Sequence, residues 1–193
     1  MSATSNEIAT ICTEEAPGLL DRRAIARRFK HRWGAKPAVD RALEAAIEGV
    51  LGCLAPRSLT AVFAVELRGK AFHIGAVRLE APFVVRRLKR LGPPQVALFV
   101  ATLGAEIDAM IEATTARRAV AEAYFIDGVA SAAVTSLADR VHQRLQQAAG
   151  AKRTFRLSPG VVARSGSGIA AEQEHWQLDG QQLFFQLLDP GRI

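Results

Sequence analysis

A chain of 193 residues, 49% apolar and 23% charged, has the size and balance of one globular domain that builds its core without disulfides or metals. That balance speaks against a disordered tail protein and against a membrane protein, and the net charge of +6 comes from arginine excess. Cys12 and Cys53 show no CxxC spacing and no neighbouring His pair, which excludes a zinc site and fits a reducing compartment.

The first 17 residues carry acids and no long apolar run, so they are expected as a loosely ordered segment and not a secretory signal. A helix then begins at Asp21, whose carboxylate can cap the free amides, with Ile25 and Phe29 on one face. A second helix follows Pro37, where Val39, Leu43, Ile47, Val50, Leu51 and Leu54 recur at helical steps until Pro56. Ser58 to Leu67 and Ala71 to Leu79 read as a β-hairpin about Arg68-Gly69-Lys70. A short basic helix from about Phe83 to Leu91 ends at Gly92-Pro93-Pro94, and Val96 to Thr102 reads as a buried strand. Ile107, Met110 and Ile111 mark another helix, and Ala119 to Gln147 a longer one on the stripe Val120, Tyr124, Val134, Leu137, Val141 and Leu145. In its middle Gly128, Ala130, Ser131, Ala132 and Ala133 allow another backbone to approach closely. Residues 150–193 shift to Gly, Ser, Pro and Gln, a loop-rich region suited to a ligand or partner, with one helix from Gln181 to Leu188.

Val96 to Leu103 is too short for the ~20 residues of a bilayer span and Tyr124 to Ala138 is interrupted by Asp127, so no membrane helix and a cytoplasmic setting are expected. Arg22, Arg23, Arg27, Arg28, Lys30 and Arg32 form one basic cluster; Arg86, Arg87, Lys89 and Arg90 form another. Either alone reads as a solvated helix face, and the pair invites an acidic partner. No catalytic constellation accompanies them: His73 has no Ser, Cys or acid spaced to partner it, Asp127 has no second acid near it in sequence, and His142 reads as solvent-facing. The Arg164-Ser165-Gly166-Ser167-Gly168 stretch lacks the Lys and spacing of a phosphate loop and reads as a flexible loop. Trp33 and Trp176 read as packing residues, Trp176 with the option of lining a ligand cleft.

The order of these pieces resembles the activation domain of cobalamin-dependent methionine synthase. The resemblance is carried by Leu20-Asp21-Arg22-Arg23-Ala24-Ile25, by the strand Val96 to Gly104 that ends in Thr-Leu-Gly, and by Asp127-Gly128-Val129-Ala130-Ser131-Ala132-Ala133-Val134 with Leu137-Ala138-Asp139. Next, Arg156-Leu157-Ser158-Pro159-Gly160-Val161 is similar to the family's Arg-x-x-x-Gly-Tyr motif for S-adenosylmethionine. Val161 stands where the family has tyrosine. Trp176-Gln177-Leu178-Asp179 and the stretch from Gln181 to Leu188 resemble the helix after the motif, and the sequence closes at Ile193, where the family continues into further strands.

The resemblance implies a single α+β domain over residues 1–193, an antiparallel sheet flanked by helices, as a stand-alone and C-terminally shortened relative. It implies an S-adenosylmethionine site at Arg156, Ser158, Pro159, Gly160 and Val161, no catalytic residues and no metal. Arg156 would pair with the ligand carboxylate and Gly160 would let the backbone approach. The implied partners are a corrinoid-binding methyltransferase protein, which carries the cobalamin, and an acidic electron donor of flavodoxin-like or iron-sulfur type. The implied work is accessory to a methyltransferase: positioning S-adenosylmethionine for methylation of reduced cobalt. Two alternatives stand beside it: a ligand-free docking or structural subunit of a corrinoid complex, and a basic nucleic-acid-binding protein, which lacks a stacking platform or DNA-reading motif.

Overall fold

The computed structural model describes residues 10–13, 17–34, 36–92, 95–150, 154–160, 162–165 and 172–193. The chain gathers into two compact units, one built on Leu59–Val100 with Leu145–Arg192 and the other on Ile11–Ser58 with Ala101–Arg144.

The second of these is mainly helical. After the short strand β1 (Thr10–Thr13), Asp21 caps α1 (Arg22–Trp33), its carboxylate accepting from the Arg23 and Ala24 amides at 2.9 and 3.0 Å. A short polar side chain at this position satisfies amides that the helix cannot pair internally. Ile25 and Phe29 point inward, as their spacing predicts. Pro37 opens α2 (Pro37–Cys53), its fixed φ suiting the first helical position. Leu43, Ile47 and Val50 are buried and Pro56, also buried, follows the helix end. Arg22 joins the two helices by ion pairs to Glu44 at 2.7 Å and Glu48 at 2.5 Å. The hydrogen bond to Glu48 leads the interactions that raise the Arg22 pKa above its ordinary value. The exposed pairs add little stability in water.

Two further helices, α4 (Ala105–Ala116) and α5 (Val120–Ala148), complete this unit, α5 running on beyond it. The core face of α5 is set by Phe125, Ile126, Val129, Ala130, Ala133, Leu137 and Val141. Leu137 and Val141 lie on it as expected, but Val120, Tyr124 and Val134 are exposed. The reason is geometric: at 3.6 residues per turn, 126, 129, 130, 133, 137 and 141 share one stripe, and the small residues within it let neighbours close in. What approaches Gly128 is a ring, not a backbone, since a Cβ there would lie 2.5 Å from Phe29 Cζ. By length and composition α5 is apolar enough to cross a membrane; its buried face is the core face of this unit.

The other unit mixes strands and helices. It holds most of β2 (Arg57–Ala64) and of β6 (Gln95–Thr102), neighbours in one sheet. A separate antiparallel sheet, in the order β3-β4-β5, comprises β3 (Glu66–Arg68), β4 (Ala71–Ile74) and β5 (Val77–Glu80). The expected hairpin about Gly69 is present, with Leu67 opposite Phe72. Its two arms are shorter than the sequence reading. The first breaks at Val65 between β2 and β3, and the second folds back at Gly75, whose φ of +57° turns β4 into β5 with Ile74 opposite Val77. Glycine adopts that conformation without the Cβ penalty. The basic helix is α3 (Pro82–Leu91), which buries Val84, Val85 and Leu88 and ends on left-handed Gly92, whose amide donates to the Leu88 carbonyl at 2.8 Å. Strand β6 is mostly half-buried, with only Leu98 fully inside. The tail is more ordered in pattern than its composition suggests. Strands β7 (Val162–Ser165) and β8 (Glu172–His175) pair antiparallel, so Arg164 and Ser165 lie in a strand and not in a loop. Helix α6 (Gln181–Leu188) spans the residues its sequence predicts.

Candidate functional site

Residues 154–160 form an irregular stretch on the mixed unit. Arg156 and Ser158 are exposed on it, Pro159 is half-buried in a turn, and Gly160 closes the turn with φ +85°. Arg156, Ser158, Pro159 and Gly160 therefore share one short surface segment; Val161 lies outside the described residues. Gly160 is constrained twice. Its φ disfavours any L side chain, and a Cβ there would lie 2.8 Å from Leu178 Cδ2. Its amide donates to the Trp176 carbonyl at 2.7 Å, which ties the turn to the segment before α6.

That segment carries the most unusual polar atom of the unit. Trp176 is 6% exposed, packs near Phe184 at 6.0 Å between ring centroids, and buries an indole N–H that has no acceptor among the described residues. An unmade buried hydrogen bond of this kind costs about 1–3 kcal/mol. The indole nitrogen lies against Gly180, where a Cβ would collide with it. Gly180 belongs to a single 3-10 turn, Leu178–Gly180, and Leu178 itself is 63% exposed. On the other side of the stretch, Phe155 carries the Arg87 guanidinium of α3 at 5.8 Å from its ring centroid. Cationic side chains thus attend this segment from two directions in sequence, one from the motif and one from the second basic cluster.

Chemically the stretch carries an exposed guanidinium and a glycine fixed by its φ and by Leu178, and it is joined through the Trp176 carbonyl to a residue whose indole N–H has no acceptor among the described residues. The sequence named the first two. It reads Trp176 as a packing residue with the option of lining a ligand cleft and gives no separate role to Leu178, which meets Gly160 from far along the chain, or to Gly180, which meets Trp176 one helical turn away.

The helical unit contains a cleft of about 270 Å³ where the end of β6 meets α4 and α5. Thr102, Leu103 and Gly104 form one side and Asp127, Ala130, Ser131 and Val134 the other, with Asp108 at the α4 start. The Thr-Leu-Gly strand end and the small-residue stretch of α5, separate in sequence, are thus neighbours. Gly104, at φ +94°, approaches Ala55 closely, its Cβ position lying 3.0 Å from the alanine methyl. Asp127 is exposed on this cleft and His142 is half-buried on α5. Among the described residues no three His, Cys, Asp or Glu side chains gather as a metal site.

No protein-family model matches the sequence, and no curated protein matches it. Among solved structures it is similar to the MetH reactivation domain bound to AdoHcy, with a TM-score of 0.59 over 96% of this chain and 71% of that chain. The chain has that domain's fold. Sequence identity over the match is 14%, so what the comparison supports is the architecture: helices with antiparallel strands in an α+β arrangement.

Proposed function

We propose that this protein is a reactivation module for a corrinoid-dependent methyltransferase, one that binds an S-adenosyl ligand on the 154–160 stretch. The carrying observation is the locked turn at Gly160, bound through its amide to the Trp176 carbonyl and set four residues after Arg156. The residues fit such a ligand in kind. Arg156 supplies the planar pair of donors that a carboxylate takes best, Gly160 keeps the backbone bare, and the Trp176 N–H is an unspent donor within the same packing group.

S-adenosylmethionine would supply the methyl group for reduced cobalt held by a separate corrinoid protein. This chain's residues would anchor and orient, with Arg156 as the carboxylate partner and Ser158, Pro159, Gly160 and Val161 as the rest of the cradle. Positioning alone lowers the barrier substantially when reacting groups are held in line, and no general acid or base is needed for it. In the same reading the two compact units are parts of one activation-type domain in the cytoplasm, and the arginine-rich faces of α1 and α3 receive an acidic electron donor or the corrinoid protein. On α1, Arg22 and Lys30 are paired with Glu44, Glu48 and Asp40, whereas Arg23, Arg27 and Arg28 are exposed to solvent.

A second reading keeps the fold and drops the ligand, leaving a docking subunit; it is favoured by Val161, which provides neither the hydroxyl nor the ring of a tyrosine. Calorimetric titration of the purified protein with S-adenosylmethionine and with AdoHcy separates the two. Micromolar binding that Arg156→Ala weakens at least tenfold supports the ligand-binding module. A folded wild-type protein that takes up neither compound refutes it and leaves the docking subunit.

A further inference from the structure

The indole N–H of Trp176 is buried and has no acceptor among the described residues. Native interiors rarely retain a buried donor without an acceptor, and the residue that carries this donor also fastens the motif turn, its backbone carbonyl accepting from the Gly160 amide at 2.7 Å while Nε1 faces Gly180. The indole edge is kept bare by a residue without a side chain, Gly180, and the ring is backed by Phe184.

We infer that Trp176 is a ligand-binding residue whose Nε1–H donates a hydrogen bond to an oxygen or ring nitrogen of the S-adenosyl ligand. The inference rests on the ligand-binding reading above and adds a contact to it. Nε1 lies against Gly180 of the Leu178–Gly180 turn. That turn is one 3-10 turn whose Leu178 is 63% exposed and touches Gly160 through its tip, while Gly180 is buried and leads into α6. Moving the turn frees the indole edge, and the ligand then supplies the acceptor that the described residues do not. The turn is then a small gate, and the orphaned donor favours its opening when an acceptor is present.

The test uses the full chain labelled with ¹⁵N. Trp33 and Trp176 are the only tryptophans, so Trp33→Phe and Trp176→Phe assign the two indole N–H resonances. AdoHcy is then titrated, with affinity measured separately by calorimetry. The expected result is a downfield shift of the Trp176 indole proton that saturates with the calorimetric isotherm, an unmoved or weakly moved Trp33 resonance, and a three- to tenfold weaker Kd for Trp176→Phe, about one neutral hydrogen bond. The resonance is read on the unsubstituted ring, so the result stands even if Trp176→Phe folds poorly. AdoHcy binding by the wild-type chain with the Trp176 resonance unmoved overturns this inference and leaves the ligand-binding reading intact. Calorimetry that shows no AdoHcy binding overturns both.

Discussion

Replacing Gly128 by alanine tests whether the small-residue stretch of α5 exists for close packing. On an exposed helix the substitution is stabilising by about 1 kcal/mol, because glycine carries more backbone entropy into the unfolded chain. Here the added methyl would lie 2.5 Å from Phe29 Cζ, closer than two carbons can stand. The Phe29 ring has little freedom to retreat, being 5% exposed and stacked on Phe125 with 5.1 Å between centroids. Overpacking of this sort costs roughly 1–3 kcal/mol. Set against the propensity gain, Gly128→Ala is expected to destabilise by about 1 kcal/mol, with a fall in Tm of roughly 2–4 °C for a chain of this size. The same change in a Phe29→Leu background removes the clash and should show the ordinary helix gain, so the two substitutions are coupled by about 1–3 kcal/mol. Urea unfolding followed by circular dichroism at 222 nm measures each corner of the cycle. A more stable single variant, or additive changes, would refute the packing argument.

Asp21→Ala removes the acceptor of two amides at the start of α1 and is expected to lower stability by about 1 kcal/mol, read as a lower urea midpoint with an unchanged slope. Gly160→Ala combines a disfavoured positive φ with the contact to Leu178; it should cost about 1–2 kcal/mol in stability from the backbone alone and weaken AdoHcy binding in calorimetry. Adding Leu178→Ala to that variant relieves only the steric part, so recovery of full stability would contradict the role given to φ.

Much of the architecture was legible because it is local. Asp21 before Arg22, Pro37 at a helix start, and Gly92 after Leu91 act on neighbours within one turn, and each element begins or ends where those residues direct it. The α5 stripe was misplaced for a different reason. Val120, Tyr124 and Val134 are apolar enough to count as core in sequence, yet the buried face is chosen by shape, through Ala130, Ala133 and the ring of Phe29 over Gly128. Hydropathy ranks residues; it does not register that a small side chain admits a large neighbour from elsewhere.

The candidate site divides along the same line. Arg156 and Gly160 are four residues apart and carry a pattern that can be read off the chain, whereas the constraint on Gly160 comes from Leu178 and Trp176, and that on Trp176 from Gly180. These three contacts fix which glycines are obligatory and leave one indole without an acceptor. The Arg-x-x-x-Gly spacing alone favours an exposed arginine in a basic chain, and the family resemblance brings the ligand role level with it. The structure adds that the glycine is held at φ +85° against Leu178, with its amide on the Trp176 carbonyl. A surface arginine near a helix end requires neither constraint, so loss of AdoHcy binding on Gly160→Ala, alongside Arg156→Ala, would separate a built cradle from a coincidental pattern.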